Sequence, residues 1–227
     1  MLRIALLLVL LSLQSWAYAE NEPYNRVDFQ VEAAREIAND LLVAGMIIEV
    51  QDKQPARVAQ QINTTLNDAL LKAAAFSSVK VSSGGHNTYP VYGKDNRIDG
   101  WRGHAEIRLE SRDFKAAGEL IMQLQSTLQL NGLNFALSPD SRTQSENELI
   151  AEAIKAFQTR ADAIRTVFGA HAYKTVHFSI NSGMPPYYPK MMMRAAPMAA
   201  DAAIPQPEFA GGDTRMTVQV SGTIELQ

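Results

Sequence analysis

The chain has 227 residues, of which 21 are Lys or Arg and 24 are Asp or Glu, with a formal charge of −3 and no cysteine. That length can bury a real core, while the missing cysteines exclude disulfide staples, zinc–thiolate sites and cysteine-dependent catalysis. Near-balanced charge without a basic patch argues against nucleic acid as a partner and against an electrostatic grip on a membrane.

The first residues read as an export signal. Arg3 supplies the positive end, Ile4 to Leu13 is an apolar run, and Ala17-Tyr18-Ala19 has the small-x-small form that signal peptidase cuts. Residues 1–19 are expected to be removed, which makes Glu20 the first residue of the mature chain. The run is shorter than the roughly 20 apolar residues of a membrane span. No cysteine follows the cut to take a lipid, and no second apolar span occurs. The expectation is an exported, soluble protein.

Val27, Phe29, Val31 and Ala33 alternate with polar residues as a strand requires, until Arg35 and Glu36 disturb the pattern. Asn39-Asp40 is a turn pair, and Leu42, Ala44, Met46, Ile48 and Val50 make a second strand. So short a link predicts an antiparallel hairpin. Pro55 opens a helix at its first position, with Val58, Ile62, Leu66, Ala69, Leu70 and Ala73 as the buried stripe. Val79 to Ser83 starts a third strand, interrupted by Gly84-Gly85 and continued by Tyr89 to Tyr92.

From Trp101 the apolar residues Trp101, Ala105, Ile107 and Leu109 alternate with Arg102, His104, Glu106, Arg108 and Glu110, giving a half-buried fourth strand. Asp113 is placed to cap a helix with Phe114, Ala117, Leu120, Ile121, Leu124 and Leu128 on one stripe. Asn131-Gly132 reads as a helix stop, after which Leu133, Phe135 and Leu137 restart a period of two. From Leu41 to Ser138 the order is β-α-β-β-α-β, the pattern of a ferredoxin-like unit with helices on one face of an antiparallel sheet. The fold class is therefore α+β: this unit (41–138), an N-terminal hairpin strand, a long third helix and two C-terminal strands.

Ser141 with Gln144 forms a capping-box pattern ahead of that third helix. Ile150, Ile154, Phe157, Ala161, Ile164 and Phe168 step by four and three along it, and Gly169 ends it. So narrow a stripe suits either the sheet of its own subunit or a neighbouring subunit. Val176, Phe178 and Ile180 form one C-terminal strand; Met216, Val218, Val220, Ile224 and Leu226 form the last. Between them lies an insert, 183–212, rich in Pro, Met and Ala and much longer than a hairpin needs, which predicts a mobile loop.

Catalytic motifs are missing. The four histidines, His86, His104, His171 and His177, lack metal-ligand spacing and suit surface or capping roles. There is no G-x-S-x-G elbow and no phosphate loop, and Asp95 with Asp99 brackets a turn. Asn63-Thr64-Thr65 matches a glycosylation sequon by chance, inside a helix. The Met-rich insert is the one unusual segment: Met184, Met191, Met192, Met193 and Met198 cluster with Tyr187 and Tyr188. Thioethers are soft Cu(I) ligands, are reversibly oxidised, and adapt to irregular apolar surfaces. The insert thus reads as a loop without a role of its own, as an arm for a neighbouring subunit, or as a copper or oxidant site, with Met191, Met192 and Met193 as the candidate metal ligands.

In its whole run of elements the chain resembles the SIMPL-domain family of exported bacterial proteins. The resemblance is carried by VDFQVEAAREIANDLLVAGMIIEV, GWRGHAEIRLESRDFKAAGELI, NGLNFALSPDSRTQSENELIAEAIKAFQTRADAIRTVFGA and TRMTVQVSGTIEL, and it covers residues 20–227 as one SIMPL-like domain. It implies a periplasmic or outer-membrane-associated protein, linked to oxidative-stress defence and forming homo-oligomers, with no catalytic residues to carry over. The expectation is a non-enzymatic, cofactor-free homo-oligomer of the envelope. A periplasmic module that holds a small ligand or Cu(I) in its Met-rich loop is the alternative.

Overall fold

A computed structural model describes residues 24–183 and 210–227. The residues read as an export signal and nearly all of the Met-rich insert, including Met191, Met192 and Met193, lie outside the described residues. The elements in chain order are strands β1 (Arg26–Ala38) and β2 (Leu41–Asp52), helix α1 (Pro55–Ala73), β3 (Val79–Tyr92), β4 (Ile98–Ser111), α2 (Phe114–Leu124), β5 (Gln129–Ala136), α3 (Pro139–Val167), β6 (Tyr173–Gly183) and β7 (Asp213–Leu226). Among the described residues, two antiparallel sheets and three helices make an α+β fold. The described residues divide into two compact units. Of these, one draws on 24–32, Ala153–Asn181 and Gln219–Gln227; the other on Ala33–Glu152, 182–183 and 210–218.

The second unit holds the β-α-β-β-α-β run expected between Leu41 and Ser138, with its strands in the order β3-β4-β2-β5. Alternation decides which face is buried. Ala44, Met46 and Ile48 of β2 stand opposite Leu109, Ile107 and Ala105 of β4, and all six are buried. Helices α1 and α2 add Val58, Ile62, Ala69, Leu120, Ile121 and Leu124 to the same core. Each Val, Leu, Ile or Met side chain taken out of water contributes about 1.5–3 kcal/mol, against about 0–1 kcal/mol for an exposed ion pair, so packing dominates. At Gly103 the helix comes so close that a Cβ would lie 2.4 Å from Val58 Cγ1 and 2.6 Å from Ile62 Cδ1. The gap at 103 in the apolar alternation of β4 is thus where α1 rests on the sheet.

Several local expectations change. The pair Asn39-Asp40 does not close a hairpin: β1 lies in the sheet ordered β1-β7-β6, while β2 is central in the other. A two-residue hairpin turn of the favoured type needs positive φ at both positions, and neither Asn39 nor Asp40 has it. Nor does Asn131-Gly132 stop a helix. Helix α2 ends at Leu124, where Thr127 and Leu128 N–H groups donate to the Leu124 carbonyl at 3.0 and 2.8 Å. Asn131 is the extra residue of a bulge in β5, since Gly45 pairs with Gly132 and Met46 with Leu130. Likewise β3 runs unbroken through Gly84-Gly85, which together face Glu106 as a second bulge. Asp113 does cap α2, its Oδ1 accepting the Ala116 N–H at 3.0 Å.

Helix α3 begins earlier than the capping-box pattern placed it. Ser138 is its cap, with Oγ accepting the Ser141 N–H at 3.3 Å and the carbonyl accepting Arg142 N–H at 2.9 Å, and Pro139 takes the first helical position. Its buried residues are Leu149, Ala153, Phe157 and Ala161; Ile150, Ile154 and Ile164 are half-buried flanks, and Phe168 is exposed. The expected stripe therefore included the edge of the true one. Gly169, with φ +70°, lets the Ala170 N–H reach back to the Arg165 carbonyl at 3.1 Å and closes the helix. The disturbance at Arg35 is also explained. Alternation continues through it, and its guanidinium on the inner face bonds Glu148 (2.7 Å) and Glu152 of α3.

In the first unit, Phe157 of α3 stacks on Phe29 of β1 with centroids 4.4 Å apart and meets Phe178 of β6 edge-on at 6.0 Å. Strand β7 lies between those two strands and places Gly222 against the same ring.

Candidate functional site

The densest polar cluster gathers around Asn39 and Asp40. The Asn39 amide donates to the Gly211 carbonyl at 2.9 Å, its N–H donates to the Gly212 carbonyl at 3.0 Å, and its Oδ1 accepts the Thr214 hydroxyl at 2.6 Å. Asp40 accepts the Ser138 N–H and hydroxyl, both at 2.7 Å, and the Ser141 hydroxyl at 2.6 Å, with Arg112 Nε 3.6 Å away. Burial pushes the Asp40 carboxyl up, but these hydrogen bonds and Arg112 together hold it below the ordinary carboxylate range. Arg112 also donates to Asp140 at 3.0 Å. These bonds join chain segments, and both Asp40 oxygens are occupied. The cluster ties β2 to the start of α3 and to the start of β7; it is a fastening, not a reaction centre.

The histidines do not come together. His104 lies on the polar face of β4 opposite Glu49, and the His171 N–H donates to the Gln227 carbonyl at 2.8 Å. Among the described residues no group of three or more His, Asp or Glu side chains is arranged to hold a metal. One open groove of about 450 Å³ is lined by Asp28, Gln30, His177, Ser221 and Thr223. Asp28 there accepts the Thr223 hydroxyl, Gln30 accepts the Gln219 amide at 3.0 Å, and no hydrogen bond joins His177 to Ser221. A nucleophile and its base would need that bond.

What remains is a strand. Tyr173–Gly183 forms β6 because β-branched and aromatic residues alternate there with small polar ones. Phe178 packs one side of its ring on Phe157, yet Val176, Phe178 and Ile180 are 43, 41 and 39% exposed, all on the same face of the strand. As an edge of its sheet, β6 also offers a row of backbone donors and acceptors along the side away from β7. Sequence reasoning marked these three residues as a strand. Periodicity shows which residues share a face but not whether another strand lies beside them.

The family model of SIMPL, described as a protein of unknown function (DUF541), matches residues 27–224 of the chain. A search of the curated proteins returned no match.

Proposed function

Because the chain belongs to the SIMPL family, whose function is unknown, its role has to be read from its surfaces, and we propose an exported, non-catalytic protein that works by associating with further copies of itself in the periplasm. The observation that carries this reading is the β6 edge, where Val176, Phe178 and Ile180 combine exposed apolar area with a strand side that no other strand of the described residues covers. The export signal supports the location, and the family resemblance supports a setting in envelope and oxidative-stress defence. Helix α3 does not support self-association, since its stripe is spent on Phe29 and Phe178 of its own unit.

Light scattering on a sizing column tests the proposal with the chain from Glu20. A discrete multiple of the monomer mass, lowered by Val176→Lys with the circular dichroism unchanged, is the expected result. A monomeric parent overturns it.

The Met-rich insert favours a second reading, a Cu(I) module, on the chemistry of Met191, Met192 and Met193 alone. Calorimetric titration of the chain with Cu(I) under reducing conditions separates the two. Heat that disappears when the three become Leu supports the module, and no heat above buffer ends it.

A further inference from the structure

Resting on that self-association reading, we propose its geometry: two copies pair their β6 strands antiparallel about a two-fold axis at Phe178, joining two three-stranded sheets into one of six strands. The first argument compares the four sheet edges among the described residues. Strand β1 is guarded by Arg26, Asp28, Glu32, Arg35 and Glu36. Strand β3 carries the Gly84-Gly85 bulge and Pro90, and β5 is only eight residues long with a bulge at Asn131. Charge, bulges, proline and shortness are the means by which sheet edges are kept from pairing with other chains. Strand β6 has eleven residues, no proline, and Lys174 as its one formal charge. It is the edge left open.

The second argument fixes the occupant as another copy. Centred on Phe178, the antiparallel register sets Val176 opposite Ile180 of the partner, His177 opposite Ser179, Thr175 opposite Asn181 and Lys174 opposite Ser182. Val176, Phe178 and Ile180 meet only one another's counterparts on the same face, Tyr173 meets Gly183, and no charged residue meets another charged residue. The two Lys174 ammonium groups fall at opposite ends of the ribbon. A parallel, in-register pairing would set Lys174 against Lys174 and stack both histidines, and like charges directly opposite are unfavourable. The pattern is self-complementary in one orientation only, as a two-fold interface requires.

The cysteine-free chain makes the test direct. Differently tagged His177→Cys and Ser179→Cys chains are expressed together and oxidised mildly, beside each variant alone. Directly opposite residues have Cα atoms about 4.5–5.5 Å apart, within disulfide reach. Identical residues offset by two positions along the ribbon are roughly 8 Å apart, beyond the ~7 Å limit. Cross-linked dimer in the mixture, at least five-fold above either variant alone, is the expected result. Cross-linking of each variant with itself, or none in the mixture, overturns the register. A parent of multimeric mass with no cross-link in the mixture discards this geometry and keeps self-association; a monomeric parent discards both.

Discussion

Phe157 of α3 meets the backbone of β7 at Gly222, so closely that a Cβ there would stand 3.0 Å from the ring and 2.6 Å from the His177 carbonyl oxygen. The carbonyl belongs to the neighbouring strand and cannot swing away as a side chain can. Gly222→Ala is therefore expected to cost about 1–3 kcal/mol through overpacking. Urea unfolding with an unchanged m-value and a lowered midpoint is the signature to look for.

The two glycines Gly103 and Gly85 form a matched pair. A methyl at 103 runs into Val58 and Ile62 of α1, whereas one at 85 meets nothing within 4 Å. Val58 is β-branched and stiff in a helix, so it yields little. Gly103→Ala is expected to lose about 1–3 kcal/mol, and Gly85→Ala to stay within about 0.5 kcal/mol of the parent. Equal midpoints in thermal melts would show that α1 does not rest on β4 as described.

Stability should fall in acid partly through Asp40. Its carboxyl titrates below the ordinary range in the folded state, so the unfolded chain takes up the proton more readily. The stabilisation is present above the ordinary aspartate value and is lost as pH falls through the lowered one. At pH 7, Asp40→Asn is expected to cost about 1–3 kcal/mol, because charge-assisted hydrogen bonds to Ser138 and Ser141 are weakened. The gap between parent and variant should narrow in unfolding experiments carried out progressively below the ordinary carboxylate value. A gap that does not change with pH would remove Asp40 from the account.

The buried stripe of α3 can be read out by two truncations. Phe157 is 3% exposed and stacked on Phe29, so Phe157→Ala is expected to cost about 3–5 kcal/mol. Ile154 is only half-buried, and Ile154→Ala should cost no more than about 2 kcal/mol. Chemical denaturation of both orders them, and the reverse order would restore the stripe inferred from periodicity.

That stripe shows what the sequence could reveal and what it could not. The order of strands and helices was legible because burial imposes a period of two or of 3.6 on each segment, as in β4 and α2. Partners were not legible. Asn39-Asp40 looks like a hairpin turn, but its side chains are committed to Gly211, Thr214, Ser138 and Ser141, more than 90 positions away. Asn131-Gly132 has the composition of a helix stop and serves as a bulge, because Gly and Asn suit any irregular backbone. On α3, isoleucines beside a run of alanines and one leucine drew the stripe one position too far round. The edge that carries the association proposal was visible as a strand, while its openness depended on knowing that, among the described residues, β7 pairs with it on one side and no strand pairs with it on the other.

The pairing of β1 with β7 has a consequence in time. Arg26 on the first strand bonds Glu225 on the last, 199 positions on. At a synthesis rate of roughly 5–20 residues per second, that span takes roughly 10–40 s to make. The first strand therefore exists for that interval without its neighbour, while β2 to β5 have partners close at hand. A strand waiting alone is a hazard to every other nascent chain. The charges Arg26, Asp28, Glu32 and Glu36 on the exposed face of β1, some of which later bond β7, then act as a guard during the wait.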